Sequence, residues 1–493
     1  MEPILPLLLL LVGAYLSYAL GRIELAFKKK HWVAITSLVF FVLSAAAQAY
    51  LAREVWLHGT LSYTMGGTIL RMDALAIFLA LVALALGTTV NIYSIKYMEH
   101  DKGLEYYYPL LLLMVAGILG IGLATDLLVL FLFFELMAIP SYALVAFRRQ
   151  DWRAVEAGMK YVVMSAAGSC IAFFGISLIY LQTGTLGFEE IALTDAPLSQ
   201  AAMVMLIAGF GVKAAIAPLH TWLPDAHSAA PSGISAMLSG IVIGAGFFTL
   251  FRTLLLFAGS GMPVGETLII MALITMTAGN LMAYVQLAYR QADLKRILAY
   301  SSVAQMGYIV LGVGVGLAYG IEQGFAGGLF HIMTHAFMKG LAFLCAGAII
   351  HQLGTRYVGE MRGIGHTMKF TGFAFSLAAL SLSGVPPLSG FMSEWMIFSA
   401  GIQTYGEIGA WGVAIAAIAL INVLISLGYY LPIIKTFYLG VREKKVLKVR
   451  DPPAAMIFAM VLLAALTIVL GVWPELGLKV IKPAVDALMA IGG

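Results

Sequence analysis

Apolar stretches of about twenty residues follow one another along almost the whole chain, separated by short polar loops. Twenty residues of helix, rising about 1.5 Å each, cross the roughly 30 Å hydrocarbon core of a bilayer. Within that core each backbone N–H and C=O must find its partner inside the segment, which makes every such stretch a helix. The spacing predicts an all-α polytopic membrane protein of about fourteen transmembrane helices, from Ile4–Leu20 to Ala454–Trp473. A soluble protein with many buried helices is excluded by composition. Charged residues are 11% of the chain and apolar residues 61%, whereas soluble domains carry about 25% charged residues.

The basic residues gather in loops: Lys28, Lys29 and Lys30; Arg148, Arg149 and Arg153; Arg290, Lys295 and Arg296; Arg356 and Arg362; and Arg442, Lys444, Lys445, Lys448 and Arg450. Counted through fourteen spans, all five clusters fall on one side, while intervening loops such as Glu189, Glu190 and Asp195 are neutral or acidic. The positive-inside rule makes the basic side cytoplasmic and puts both termini outside. This pattern is one of membrane topology and not of a nucleic-acid footprint. The N-terminus lacks a basic region and a small-residue cleavage site, so the first segment reads as a retained helix. Cys170 and Cys345 lie in apolar segments at no metal-binding spacing.

Two spans carry breaks. The seventh reads Gly209-Phe-Gly-Val-Lys213-Ala-Ala-Ile-Ala-Pro218 and continues to His220 and Pro224; the twelfth reads Ser381-Leu-Ser-Gly384-Val-Pro386-Pro387-Leu-Ser-Gly390. Proline removes a backbone donor and clashes with the preceding turn, so both helices unwind there. The breaks lie five spans apart. An odd offset reverses orientation, as matching elements of an inverted repeat require; two unrelated proline kinks are the plainer alternative.

Charges sit where apolar side chains belong. Glu135 is mid-span in the fifth helix, Lys213 in the seventh, Lys339 in the eleventh, and Glu394 just beyond the twelfth-helix break. A charge at a helix centre costs about 2.5–3.5 kcal/mol on insertion scales, so it faces a partner or water. Glu135 and Lys213 make the natural ion pair. His331, His335 and Lys339 follow at steps of four, close to one helix face. The two histidines lack the Glu of the metalloprotease helix and any evident third ligand, and a proton relay suits them better than zinc. Ser301, Ser302 and Gln305 add polar groups at the start of the tenth span. His220, Asp225 and His227 flank the seventh-helix break, where two roles stand open: a mouth for proton uptake, or caps for the broken helix ends. No phosphate loop, dinucleotide fingerprint or CxxC pair is present, so the chain offers no evident seat for a redox cofactor.

Five segments carry a family resemblance: Gly158-Met-Lys160-Tyr161, Ala217-Pro218-Leu-His220-Thr-Trp222-Leu-Pro224-Asp225-Ala-His227, Asp293-Leu-Lys295-Arg296-Ile-Leu-Ala-Tyr300-Ser301-Ser302, His331-Ile-Met-Thr-His335-Ala-Phe-Met-Lys339 and Gly384-Val-Pro386-Pro387-Leu-Ser-Gly390-Phe391. Together they resemble the antiporter-like subunits of respiratory complex I, of membrane-bound hydrogenases and of multi-subunit sodium/proton antiporters. The resemblance implies two inverted five-helix repeats with broken seventh and twelfth helices. That divides the chain into 1–106 with three spans, 107–257 and 258–435 as the repeats, and 436–493 with a basic loop, the fourteenth span and a tail. It implies ion-path roles for Glu135, Lys213, His331, His335, Lys339 and Glu394. Many members place a lysine in the eighth helix where Gly244 stands here. Either Lys339 takes over the central role, or the path is incomplete.

The expected function is translocation of protons, alternatively sodium, within a redox-driven respiratory complex. Its partners would be further membrane subunits of the same family and peripheral subunits carrying iron–sulfur clusters, with no cofactor in this chain. Opening and closing of the Glu135–Lys213 pair would change the proton affinity of Lys213 and drive transfer through the histidines toward Glu394. A sodium/proton antiporter subunit and a non-conducting structural subunit are the competing readings.

Overall fold

The computed structural model describes residues 2–27, 32–440 and 445–492, so Lys28, Lys29, Lys30, Arg442 and Lys444 lie outside the described residues. Twelve of the described helices are long and apolar enough to cross a membrane: Leu5–Phe27, Trp32–His58, Ala74–Tyr97, Leu104–Leu123, Leu127–Val145, Trp152–Thr183, Ser232–Phe257, Val264–Ala288, Leu294–Tyr319, Glu322–Leu353, Ala410–Tyr438 and Ala454–Val472. Two interrupted helices complete the expected fourteen spans. The seventh consists of Pro197–Lys213 and Leu223–Ala229, the twelfth of Lys369–Ser381 and Ser389–Gln403. The chain is a multi-pass, essentially all-helical membrane protein.

Local chemistry sets the ends of the spans. The side chains of Asp73, Asp126, Asp151 and Asp293 accept hydrogen bonds from first-turn N–H groups of the third, fifth, sixth and tenth spans. Helix N-termini expose unpaired donors, and these carboxylates satisfy some of them. Gly184, Gly320 and Gly354 close the sixth, tenth and eleventh spans in the left-handed conformation that a side chain would disfavour.

Each break is braced by side chains. In the seventh span the chain turns through Ala215, at φ 54°. The freed Val212 carbonyl accepts from the Trp222 indole at 2.8 Å, and the Ala217 N–H donates to Thr275 of the ninth span at 3.1 Å. In the twelfth, Gln305 of the tenth span donates to the Leu382 carbonyl at 3.1 Å, and the Gly390 N–H donates to Ser381 at 3.1 Å. Unwound backbone survives at membrane depth because protein groups replace the missing helix bonds.

Two elements depart from expectation. Leu61–Met65 and Thr68–Met72 form an antiparallel hairpin between the second and third spans. Its turn is Gly66-Gly67, both at positive φ, as tight hairpin turns require. Arg71 of the hairpin meets Glu189 at 2.5 Å, which holds the Glu189 carboxyl below its ordinary range through a hydrogen bond and charge. The C-terminal tail forms a further helix that the sequence did not signal, Pro474–Gly492, with Ile481, Ala484, Val485 and Leu488 turned inward. Its apolar positions repeat at helical spacing too sparsely for a span, but well enough for a surface helix with one buried face.

The eighth and eleventh spans are buried along their whole apolar windows and form the axis of the molecule. Beside them the ninth and tenth spans run backbone against backbone. A Cβ added at Gly279 would lie 2.4 Å from the Ala304 nitrogen, and one at Gly265 2.4 Å from that of Ala318. Small residues admit this approach, and packing contacts then hold the helices together where lipid gives no hydrophobic drive.

Candidate functional site

The fifth, sixth and seventh spans build the first part of a buried polar line. Lys213 ends Pro197–Lys213 and is 1% exposed. Its ammonium donates to the Tyr161 hydroxyl at 2.9 Å and sits 4.5 Å from the ring centroid of Tyr161 and 4.6 Å from that of Tyr142. Aromatic faces stabilise a cation electrostatically. Tyr161 also bonds Ser141 at 2.9 Å and stacks on Trp222 with ring centroids 3.9 Å apart. Glu135 accepts instead from the Ser169 hydroxyl. The expected direct Glu135–Lys213 ion pair is therefore absent among the described residues. The aromatic box holds the ammonium and Ser169 holds the carboxylate, so the two charges act on each other across a gap.

The eighth, tenth, eleventh and thirteenth spans form the middle. Lys339 is fully buried, donating to the Leu298 carbonyl at 2.9 Å and to the Tyr430 hydroxyl at 3.3 Å. Tyr430 in turn bonds Ser301 at 2.8 Å, and Ser302 bonds Ser239 of the eighth span at 2.6 Å. Gly244 faces Ile332, whose Cγ2 would lie 3.7 Å from an added Cβ. Ile332 is two helical turns from Lys339, so Lys339 does not occupy the level of Gly244. His227 is wholly buried against Phe343, with ring centroids 4.8 Å apart and neither ring nitrogen partnered among the described residues.

The eleventh and twelfth spans carry the far end. His331 Nδ1 lies 2.8 Å from Ser393 Oγ, and its Nε2 lies 2.8 Å from Gln305 Oε1. Thr334 joins Ser393 at 3.0 Å, and the rings of His331 and His335 stack with centroids 6.2 Å apart. Glu394 follows Ser393; it is 1% exposed, and among the described residues neither carboxylate oxygen has a partner within strict hydrogen-bond geometry, although the Gln305 side chain lies near enough to act on it. Buried polar atoms are normally paired, so an unpartnered carboxylate at a helix break is unusual. Gly384, at φ 62°, closes over it: a Cβ there would lie 2.3 Å from Glu394 Oε2.

The residues at the seventh-helix break divide. Asp225 meets Lys160 at 3.1 Å and Arg296 at 2.9 Å, tying the sixth and tenth spans on the basic side. His220 contacts Met282 of the ninth span at 3.3 Å. These partly exposed ion pairs are worth little singly. Asp225→Asn is expected to cost about 1 kcal/mol in thermal unfolding of the purified protein and to leave ion flux unchanged; flux lost at full stability would restore Asp225 to an uptake role.

Sequence reasoning did not single out Tyr142, Tyr161, Tyr430, Ser141, Ser169 or Ser393. Tyr161 lies in the Gly158-Met-Lys160-Tyr161 segment, but serine and tyrosine are common in apolar helices and carry no signal until their neighbours across the helices are placed.

Residues 124–421 match the family described as NADH:quinone oxidoreductase/Mrp antiporter, transmembrane, and residues 56–108 match the N-terminus of complex I chain 5. The chain is 35% identical over 432 residues to the F(420)H(2) dehydrogenase subunit N of Methanosarcina mazei, covering 84% of each chain. It is 30% identical over 476 residues to a subunit of the Na(+)/H(+) antiporter of Alkalihalophilus pseudofirmus, covering 94% of this chain and 93% of that one. A chain of the membrane-bound sulfane sulfur reductase, an archaeal respiratory membrane complex, superposes with a TM-score of 0.88 at 28% identity, covering 100% of this chain and 99% of that chain. With its fourteen spans, its two braced breaks and these matches, the chain belongs to the NADH:quinone oxidoreductase/Mrp antiporter transmembrane family.

Proposed function

We propose that this chain is an ion-translocating membrane subunit of a redox-driven respiratory complex, moving protons. The observation that carries the reading is the intramembrane polar line from half-buried Glu135 and buried Lys213, past Lys339, to His331 and Glu394. Four buried or half-buried charges within apolar spans cost too much to serve packing alone. The partners are further membrane subunits of the same family and peripheral subunits holding iron–sulfur clusters. The setting is the prokaryotic plasma membrane, with the basic face cytoplasmic and both termini outside.

The stretches 107–257 and 258–435 act as two half-paths, each with its own broken helix. Movement of Glu135 between Ser169 and the aromatic box changes how firmly Lys213 holds its proton, since charge interactions strengthen as distance falls. Released protons reach Lys339 past the Ser239–Ser302 pair and His335. From there His331 and Ser393 relay them to Glu394 and the outer face. No direct hydrogen bond joins Lys213 to the Lys339 group among the described residues, so transfer there runs through ordered water, which polar sites of this kind hold. Gly244 is compatible with that arrangement, because among the described residues an added Cβ there would meet only Ile332, at 3.7 Å.

Glu394→Gln tests the reading. In the intact complex reconstituted into sealed vesicles, the variant is expected to keep electron transfer and lose ion uptake to the passive leak. Uptake equal to the wild type would leave a structural subunit as the better reading. A role in a sodium/proton antiporter is favoured by the 30% identity to a chain of such a complex. Iron in the purified complex, and flux collapsed by a protonophore and not by a sodium ionophore, separate the two.

A further inference from the structure

The basic ends of the ninth and tenth spans frame a cleft of about 880 Å³. Pockets that hold small ligands measure about 300–1,000 Å³. One wall is the ninth span, Val264–Ala288, the other is the tenth, Leu294–Tyr319, and the turn between them closes the basic end.

The chemistry of the cleft changes along its length. Leu281 and Val285 stand one turn apart on the exposed side of the ninth span, with Leu281 about 10 Å of helix inside the end of the span. Tyr289 and Arg290 follow the last turn. Across the cleft, Arg296 is in the first turn of the tenth span and Tyr300 lies one turn deeper. The cleft thus runs from an apolar floor within the membrane to two guanidinium groups at its surface. A phospholipid has the same order, acyl chains below and phosphate above, and basic clefts between spans on this side of a membrane suit anionic headgroups.

Both cations have donors to spare. No acidic side chain among the described residues lines the cleft. Behind it, Arg296 gives Asp225 one nitrogen at 2.9 Å, and Asp225 is shared with Lys160 at 3.1 Å. A guanidinium has five N–H donors, so most of those on Arg296 remain. Arg290 is exposed, with no ion-pair or hydrogen-bond partner among the described residues. The planar fork of arginine matches a phosphate. A protein neighbour built to the same pattern fits less well. By the count of spans, all five basic clusters lie on this side, so such a neighbour would bring cations to cations.

We propose that this cleft holds one anionic phospholipid of the leaflet on the basic side, with its phosphate between Arg290 and Arg296 and an acyl chain along Leu281 and Val285. The proposal needs only that the chain spans a membrane, and it stands whether or not the chain moves ions. The bound lipid lies against the seventh-helix break, because Met282 of the cleft contacts His220 at 3.3 Å and Arg296 holds Asp225.

The test uses the intact complex in phosphatidylcholine vesicles that carry either a photoactivatable phosphatidylglycerol or its phosphatidylcholine counterpart at equal fraction. Each probe has a diazirine on its acyl chain, which loses dinitrogen on irradiation and inserts into a neighbouring bond. Peptide mapping by mass spectrometry locates the label. The phosphatidylglycerol probe is expected to label residues 281–289 at least about fivefold more than its counterpart, the factor that one arginine contributes toward an anionic lipid. Arg290→Glu should bring the two probes to equal labelling. Arg153→Glu, exposed on the same basic side and outside the cleft, should leave the preference unchanged. Equal labelling of the wild type by the two probes, or a preference that survives Arg290→Glu, would overturn the proposal. So would a preference lost in Arg153→Glu, which would show attraction by the whole surface. Label displaced by inorganic phosphate would make this a site for a free anion, and cross-links from this stretch to another protein chain would make it a subunit contact; either result also overturns the lipid. Should Arg290→Glu fail to assemble, the ratio of the two probes on the wild type decides alone.

Discussion

Lys213→Ala is expected to abolish redox-coupled ion uptake, down to the leak of the vesicles, with the complex still assembled and electron transfer continuing. Among the described residues the ammonium is the one cation in the box made by Tyr142, Tyr161 and Phe134, which lies 5.9 Å away at its ring centroid. Alanine removes the charge but leaves Tyr161 bonded to Ser141 and stacked on Trp222, so the walls keep their partners. Uncharged replacement also spares the membrane the burden of a buried ion, and assembly should not suffer. Parallel measurement of electron transfer, ion uptake and complex size in a native gel checks all three points. Wild-type uptake by this variant would remove Lys213 from the path, and with it the proposed switch at Glu135.

Arg252→Ala is expected to produce the largest loss of stability of the single changes considered. Arg252, in the eighth span, donates to the carbonyls of Ile121 at 3.2 Å and Gly122 at 2.6 Å, at the end of the fourth span. It also lies 3.6 Å from Asp73, which caps the third span, and its guanidinium sits 5.4 Å from the Phe188 ring centroid. One side chain therefore joins the third, fourth and eighth spans and the loop after the sixth. Removing one partner of a buried ion pair costs about 3–5 kcal/mol, because the other is left uncompensated. Asp73 is partly exposed, which places the expected loss near ~3 kcal/mol. Thermal unfolding in mild detergent checks it; an unchanged midpoint would mean that solvent takes over the role of the guanidinium.

Most of the fold was legible in the sequence because bilayer thickness imposes a length and backbone satisfaction imposes a helix. Both constraints act on residues close in sequence, and the fourteen spans and two breaks followed from them. The hairpin was missed for another reason. Its strands are five residues each, and Gly66-Gly67 was the only strong local signal, hidden in a polar loop between spans. The terminal helix was missed because Lys479, Lys482 and Asp486 dilute its apolar face below the hydropathy of a span.

For the site, the intramembrane charges were visible at once, since each is costly wherever it points. Their pairing was not. The sequence suggests Glu135 with Lys213, and only the placement of Tyr161 and Ser169 shows that each is held by a neutral partner. His331 was picked by its spacing to His335, yet its bonds go to Gln305 and Ser393, on two other spans. Partners across helices are set by packing, which a single sequence does not encode in any local pattern.

The backbone contact between the ninth and tenth spans has a mechanical meaning. At Gly265 and Gly279 no side chain separates the two helices, and nothing soft remains there to be compressed. The pair is a stiff plank, and Ser301, Ser302 and Gln305 are studs fixed to it. Thr275, on the same plank, holds the Ala217 end of the seventh-helix fracture, while Gln305 holds the Leu382 end of the twelfth. Both fractures are thus fastened to one frame. A displacement of either fracture would load the same pair of helices.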